Sequence, residues 1–344
     1  MNPEVPRQQT RRPEVVSDGS APPLAPEYAA LSPSATSNSG TSFNPESYAA
    51  LNALVQKLGW QRVLAAIGDI PEHVRILDLG FGHGGNTAEL SRSVQGNGGV
   101  VFGIEASQEM VEQARAQYNR ELAPNLSLIH GRAERATDAI RQHCAIHTLE
   151  QPRFDIILSN YTLHWVRDPE TPCRFLHEEM FRGLNKLQDI GGRQIHFCAE
   201  RDAFAELFDA GYALIRESDE WRECFSPRCG DHREGDEWRH PPLISSADLS
   251  DALERSGYKG TVERVEEERV FDSRSSLEGW VGAMIRPFMN RIPEQKKGSF
   301  VKAWIDRYLA SCDWATRRAA TGLDVFILRD RNLLVTASKV AELE

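Results

Sequence analysis

Apolar and polar positions along this chain follow two periods. Residues 44–67 (NPESYAALNALVQKLGWQRVLAAI) place Tyr48, Leu51, Leu54, Val55, Leu58, Val63, Leu64 and Ile67 at helical spacing, which predicts two helices. Short apolar runs then take over: RILDL, ending at Leu79; VVFGIE at 100–105; LSLIHG at 126–131; FDIILSN at 154–160; and a fifth at 195–200. Amphipathic stretches separate them. This alternation, from Val74 to about Arg216, predicts an α/β fold with a doubly wound, mostly parallel sheet. Further on, 218–240 is charged and aperiodic, and reads as a long loop or insertion. Leu249 to Gly257 predicts a helix stopped by the glycine. Residues 261–271 alternate like a strand, and 275–312 hold two or three helices with a turn near Arg291-Ile292-Pro293. Residues 325–338 alternate again around Asp330-Arg331-Asn332, which predicts a hairpin. Residues 1–42 are rich in Pro, Ser, Ala and Thr with few large apolar groups. Such a segment cannot offset its ordering entropy and is expected to be a disordered tail. The domain then runs over 43–344.

Chemistry concentrates where the first run ends. VRILDLGFGHGG places Gly80, Gly82, Gly84 and Gly85 between a buried strand and an amphipathic helix, with Asp78 inside the strand. A strand that turns on glycines into a helix is a nucleotide-binding device. Glycine lets the backbone approach a ligand closely, and the helix N-terminus offers free N–H groups. The spacing is not G-x-G-x-x-G, because glycines fall at every second position. The second run ends in Glu105, about 20 residues on, where an acid can accept both hydroxyls of a ribose.

The acid two residues before the first glycine resembles motif I of class I S-adenosylmethionine methyltransferases. Further motifs follow in order over roughly Tyr48 to Lys339. Glu105-Ala106 with Met110 resembles the stretch in which the acid ends strand 2 and a Met packs near adenine. Asn160 and the following YTLHWV resemble motif IV, beside the methionyl end of the cofactor. The resemblance implies a seven-stranded Rossmann-like sheet with a helical cap and antiparallel late strands, and S-adenosyl-L-methionine as cofactor. It implies cofactor contacts from Asp78, Gly80, Gly82, Gly84, Glu105, Ala106, Met110, Arg132, Ala133 and Asn160. One departure stands out. The family usually follows strand 3 with G-D-A, whereas this chain reads Gly131-Arg132-Ala133-Glu134. Arg132 cannot accept from the adenine amino group, so Glu134 or a backbone carbonyl takes that part.

Two segments bear on the methyl acceptor. SNYTLHWV resembles the post-strand-4 segment of trans-aconitate, malonyl-carrier-protein and juvenile-hormone-acid methyltransferases, which esterify carboxylates. GWVGAMIRPFMNRIPEQKKGSF, at 279–300, resembles their helical cap. The expectation is O-methylation of the carboxylate of a small or medium organic acid, with catalytic residues Tyr161, His164 and Trp165. Tyr48, Gln56, Trp165, Trp280, Arg286 and Met289 are candidates for holding the substrate. The juvenile-hormone-acid group carries Tyr and Asn as Tyr48 and Asn52 stand here. Its Gln, however, falls one residue earlier than Gln56, an offset of roughly 100° on a helix. A carboxylate is already ionised at neutral pH and needs donors, not a base. The alternative is an N-, C- or hydroxyl-directed methyltransferase of secondary metabolism, with His164 or Tyr161 as base. A lesser alternative is a non-catalytic S-adenosylmethionine-binding partner.

Charge narrows the field. A formal charge of −10 argues against a nucleic-acid substrate, which needs clustered Lys and Arg. No apolar run approaches the roughly 18 residues of a membrane span, and the N-terminus lacks a secretory core. The expected partner is a small molecule, with neither nucleic acid nor membrane. The six cysteines suit free thiols in a reducing, cytoplasmic compartment. Cys224, Cys229, His232 and His240 lie close in sequence, but without C-x-x-C spacing a polar surface insertion is expected there, and no metal.

Overall fold

Runs of Ile, Leu and Val with no polar face belong in the middle of a sheet covered on both sides, and they form its inner strands here. The computed structural model describes residues 45–119, 122–166, 173–201, 203–225, 244–289, 291–319 and 322–343; the side chains of 45–55, 173, 283, 286 and 287 are outside the description. The expected tail at 1–42 lies outside the described residues. The strands are β1 (Arg75–Leu79), β2 (Val100–Glu105), β3 (Leu126–His130), β4 (Ile156–Asn160), β5 (Arg193–Ala199), β6 (Tyr258–Phe271), β7 (Thr316–Arg318) and β8 (Asp324–Lys339). Their order is β3-β2-β1-β4-β5-β8-β6, with the short β7 paired to β8 off this path. Pairings among β1 to β5 are parallel. β8 enters between β5 and β6 antiparallel to both. The chain reverses direction across the sheet between β1 and β4, and ligands of such folds bind at that switch point.

The helices are α1 (Pro45–Ile67), α2 (Gly85–Gln95), α3 (Gln108–Gln117), α4 (Ala136–Ile146), α5 (Cys173–Asn185), α6 (Ala205–Glu217), α7 (Asp219–Phe225), α8 (Ser246–Arg255), α9 (Arg274–Met284), α10 (Arg286–Met289) and α11 (Lys297–Ser311). One sheet face packs on α4, α5 and α8. The other packs on α1, α2 and α3. A third core joins α6 and α7 to the cap helices α9 to α11. A buried hydrogen-bonded set ties β4 to β5. The Ser159 hydroxyl lies 2.9 Å from His196 Nδ1, and His196 Nε2 lies 2.8 Å from Gln194 Oε1. Burial, with His177 nearby, pushes His196 down to about 3. The imidazole is neutral and structural, on the α5 face.

Three expectations change. The two helices expected over 44–67 are one continuous α1. Gly59 does not break it, because the helix needs a glycine there: an added Cβ would lie 2.4 Å from Asn160 Oδ1 and 2.7 Å from the Tyr161 ring. The hairpin expected at 325–338 is one continuous strand, β8. Its polar middle is paired across the sheet, Asp330 to Arg269 of β6 and Arg331 to Glu206 and Glu266. The aperiodic 218–240 begins with helix α7; its remainder, including Cys229, His232 and His240, lies outside the described residues from 226 on.

Candidate active site

At the switch point the glycine turn is held by β2. Gly80 and Phe81 donate N–H to Ile104 O, at 2.7 and 3.3 Å. Gly80, Gly82 and Gly84 have φ of 78°, 59° and 79°, a region that costs other residues a Cβ clash. At Gly80 a Cβ would also strike Thr162 from the loop after β4, whereas nothing lies within 4 Å of the Cβ position at Gly82. The turn is tightly packed below Gly80 and open at Gly82, as a ligand cradle requires.

Glu105 faces that opening. Its Oε2 accepts from Gly82 N–H at 3.1 Å and its Oε1 from Ser107 N–H at 2.9 Å. Each oxygen keeps a lone pair, so the carboxylate is oriented and can still take two hydroxyls. Asp78 lies beneath the turn, buried, and accepts from Thr87 Oγ1 at 2.6 Å. Burial raises its carboxyl to about 7, the Thr87 hydrogen bond opposes this, and the Glu105 charge adds to it. Asp78 therefore acts through the β1–α2 turn rather than at its surface. Thr87, in the first turns of α2, ties that helix to β1 through Asp78 and carried no signal in the sequence.

Past β2, Ala106 is exposed and Met110 half-buried at the start of α3. The Ala106 carbonyl lies 3.1 Å from His130 Nε2 at the end of β3. Beyond β3, Ala133 is buried in the core, while Arg132 points out and pairs with Glu134. That pairing occupies the one carboxylate near the position where the resembling family keeps an acid.

The acceptor side is built by the loop after β4. Asn160 ends the strand, and its Nδ2 donates to the Gln56 backbone carbonyl at 2.8 Å. Gln56 meets the site through its backbone; its side chain is exposed. Tyr161 sits at φ 54°, an unusual conformation for a bulky residue, held by its N–H to Phe197 O at 2.7 Å. Its ring stands edge-on to Phe197 and His164, with centroids 5.3 and 6.0 Å away. Burial pushes the Tyr161 phenol well up; Asp330 adds to this and Arg269 opposes it. Tyr161 stays protonated at neutral pH and is a donor, not a base. His164 is half-buried against Trp165, whose ring is 64% exposed.

Of the expected substrate residues, Trp280 and Met289 go to the cap core rather than to the loop after β4. Trp280 is buried in the cap core against Phe204 and Phe271. Met289 packs on the same core. The side chains of Tyr48, on α1, and Arg286, opening α10, lie outside the description. A groove of about 590 Å³, lined by Asp69, Ile70, Asp155 and Asp189 among others, opens at the amino ends of β1, β4 and β5. It lies at the wrong end of the sheet for the glycine turn and takes no part in the site.

A doubly wound sheet with this order, a glycine turn after β1 and an oriented carboxylate ending β2 define a Rossmann-like α/β fold. Residues 76–186 match the family described as methyltransferase domain. The matched stretch holds the glycine turn, Glu105, Asn160 and Tyr161. Arsenite methyltransferase of Rattus norvegicus is 31% identical over 123 residues, covering 33% of this chain and 31% of that protein. Juvenile hormone acid O-methyltransferase of Drosophila melanogaster is 24% identical over 232 residues, 67% of this chain and 69% of that protein. The chain spans about a third of the length of the rat and mouse arsenite methyltransferases it matches, 31% and 36%. Among solved structures, the YcgJ protein from Bacillus subtilis is similar with a TM-score of 0.48 and 16% identity, covering 84% of this chain and 99% of that one.

The residues present fit the cofactor. The open Gly82, the α2 N-terminus and the two lone pairs left on Glu105 match an adenosyl group's shape and hydroxyls.

Proposed function

We propose that the protein transfers a methyl group from S-adenosylmethionine to the carboxylate of a small or medium-sized organic acid. The observation that carries this reading is the chemistry of the loop after β4. Its Tyr161, half-buried edge-on to Phe197 and His164, keeps a phenol O–H to donate, and burial pushes that phenol further from ionisation; the loop offers a donor where a hydroxyl or ammonium acceptor would need a base. An ionised carboxylate needs orientation alone. The similarity to an acid O-methyltransferase of Drosophila melanogaster supports it.

When bound, the cofactor supplies an electrophilic methyl on a sulfonium. The chain does the rest. Gly80, Gly82 and Glu105 would hold the adenosyl end, and Asn160 the methionyl side. Tyr161 O–H, with Trp165 N–H and His164, orients the acceptor oxygen. Helix α1, pinned by its Gln56 carbonyl to Asn160, covers the carboxyl end of β4 and excludes water.

The test is methyl transfer followed by mass spectrometry across carboxylic acids, amines and phenols. A base-labile product one methyl heavier, confined to acids, is expected. Turnover confined to amines or phenols would replace this reading with one in which half-buried His164, beside Tyr161, is the base.

A further inference from the structure

Buried polar atoms without partners are rare in native proteins and call for a reason. One sheet face holds a group of them next to the acceptor site. Asp330 and Asn332 lie on the same face of β8, two residues and so about 7 Å apart. They are 1% and 0% exposed. Among the described residues, neither amide atom of Asn332 has a hydrogen-bond partner, nor does Asp330 Oδ1, nor Asn160 Oδ1 at the end of β4. Asp330 Oδ2 is taken by Arg269, whose Nε donates over 2.9 Å. The Arg269 guanidinium lies 5.2 Å from the ring centroids of both Phe204 and Trp280, so it is fixed on its partner.

The register places this group. Asn332 stands opposite Ala199, the last residue of β5, and opposite Val265 of β6. Asp330 stands opposite Glu267. From the end of β4 across β5 to β8 is two strand spacings, about 10 Å, within the span of a medium-length chain. Tyr161 packs on Phe197 of β5, which stands opposite Leu334 of β8, two residues from Asn332 on the same face.

The chemistry is specific. Asn332 offers two donors and an acceptor, and Asp330 Oδ1 adds an acceptor. Arg269 is already committed to Asp330, so its charge is not available to pair with a second carboxylate. A neutral group with both a donor and an acceptor satisfies the set. We propose that Asn332 and Asp330 recognise the far end of the methyl acceptor, and that this end carries a hydroxyl or a carboxamide. The inference rests on the reading of the acceptor as an organic acid. It makes that acid bifunctional, with its carboxylate near Tyr161 and its neutral polar end at β8.

The test uses the full chain saturated with S-adenosylhomocysteine. Straight-chain ω-hydroxy acids and ω-carboxamide acids, from butanoic to dodecanoic length, are each titrated against the parent acid lacking the polar end. The expected result is binding at least about tenfold tighter for one polar-ended series. In Asn332→Leu and Asn332→Ala that preference disappears while S-adenosylhomocysteine affinity is unchanged. Asn332→Leu should also raise the Tm of the ligand-free protein, because an apolar side chain removes an unpaired buried amide. Equal binding of polar-ended and parent acids would overturn the proposal, as would a lower Tm in Asn332→Leu with the preference intact. In a parallel turnover assay with S-adenosylmethionine in place of S-adenosylhomocysteine, selective binding of a polar-ended acid without its methylation would keep the recognition site and sink acid O-methylation. Methylation with no such preference would do the reverse.

Discussion

Asp78 sits beneath the glycine turn, and its carboxyl is raised from 3.8 to about 7 by burial. Between those values the folded protein holds a proton that the unfolded chain has released. Raising the pH through this window therefore lowers stability, by up to about 1.4 kcal/mol per unit, and the loss is complete above about 7. Asn at this position accepts the Thr87 hydrogen bond without titrating. The Tm of Asp78→Asn minus that of the wild type should grow as pH rises through the window and level off above it. A difference independent of pH would mean that Asp78 is ionised throughout. Thr87 and Thr162 belong to the same scale. Both shape the glycine turn, one from below and one from the loop after β4, through contacts between residues far apart in sequence.

At the scale of elements, the cap is anchored by α6 against α11. Gly211 of α6 faces Trp304 so closely that an added Cβ would lie 1.9 Å from the indole. Trp304 cannot retreat. Its Nε1 donates to Leu207 O at 2.7 Å, and the rings of Phe208, Phe288 and Phe300 pack around it. In an exposed helix Gly→Ala is stabilising by roughly 1 kcal/mol. Here Gly211→Ala should instead cost about 1–3 kcal/mol through overpacking, read as a lower Tm by calorimetry; an unchanged or higher Tm would show that the cap repacks freely. Strand β8 teaches the same lesson. Polar residues in mid-strand read as a turn when seen alone. Asp330 pairs with Arg269 of β6, and Arg331 with Glu266 of β6 and Glu206 of α6, so the strand runs on through them.

For the whole molecule, the sheet brings the oriented Glu105, the protonated Tyr161 and the α1 cover to one edge. On the proposed reaction this predicts the form of the pH profile. kcat/KM for an acid should stay flat through neutral pH and fall only as the substrate protonates, at about pH 4–5. A limb near pH 6.5, lost in His164→Gln, would identify an imidazole base and move the reaction to another acceptor class. Among the described residues no helix is long and apolar enough to cross a membrane.

The sequence by itself determined what depends on near neighbours. Strand β2 has the bounds its apolar run predicts, and the glycines after β1 announce their turn because glycine takes those φ values without a Cβ penalty. Glu105 was legible because its spacing from that turn is set by one strand–helix–strand unit. The cap helices were legible from periodicity. Only the tertiary structure decided what depends on distant partners: that Gly59 is a contact with Asn160 rather than a helix break, that Gln56 meets the site through its carbonyl, that Trp280 fills the cap core, and that Asp330 and Asn332 lie buried on one sheet face. Periodicity says which face of an element is apolar. It does not say which other face it meets, and packing across that meeting sets burial, pairing and the protonation of Asp78 and Tyr161.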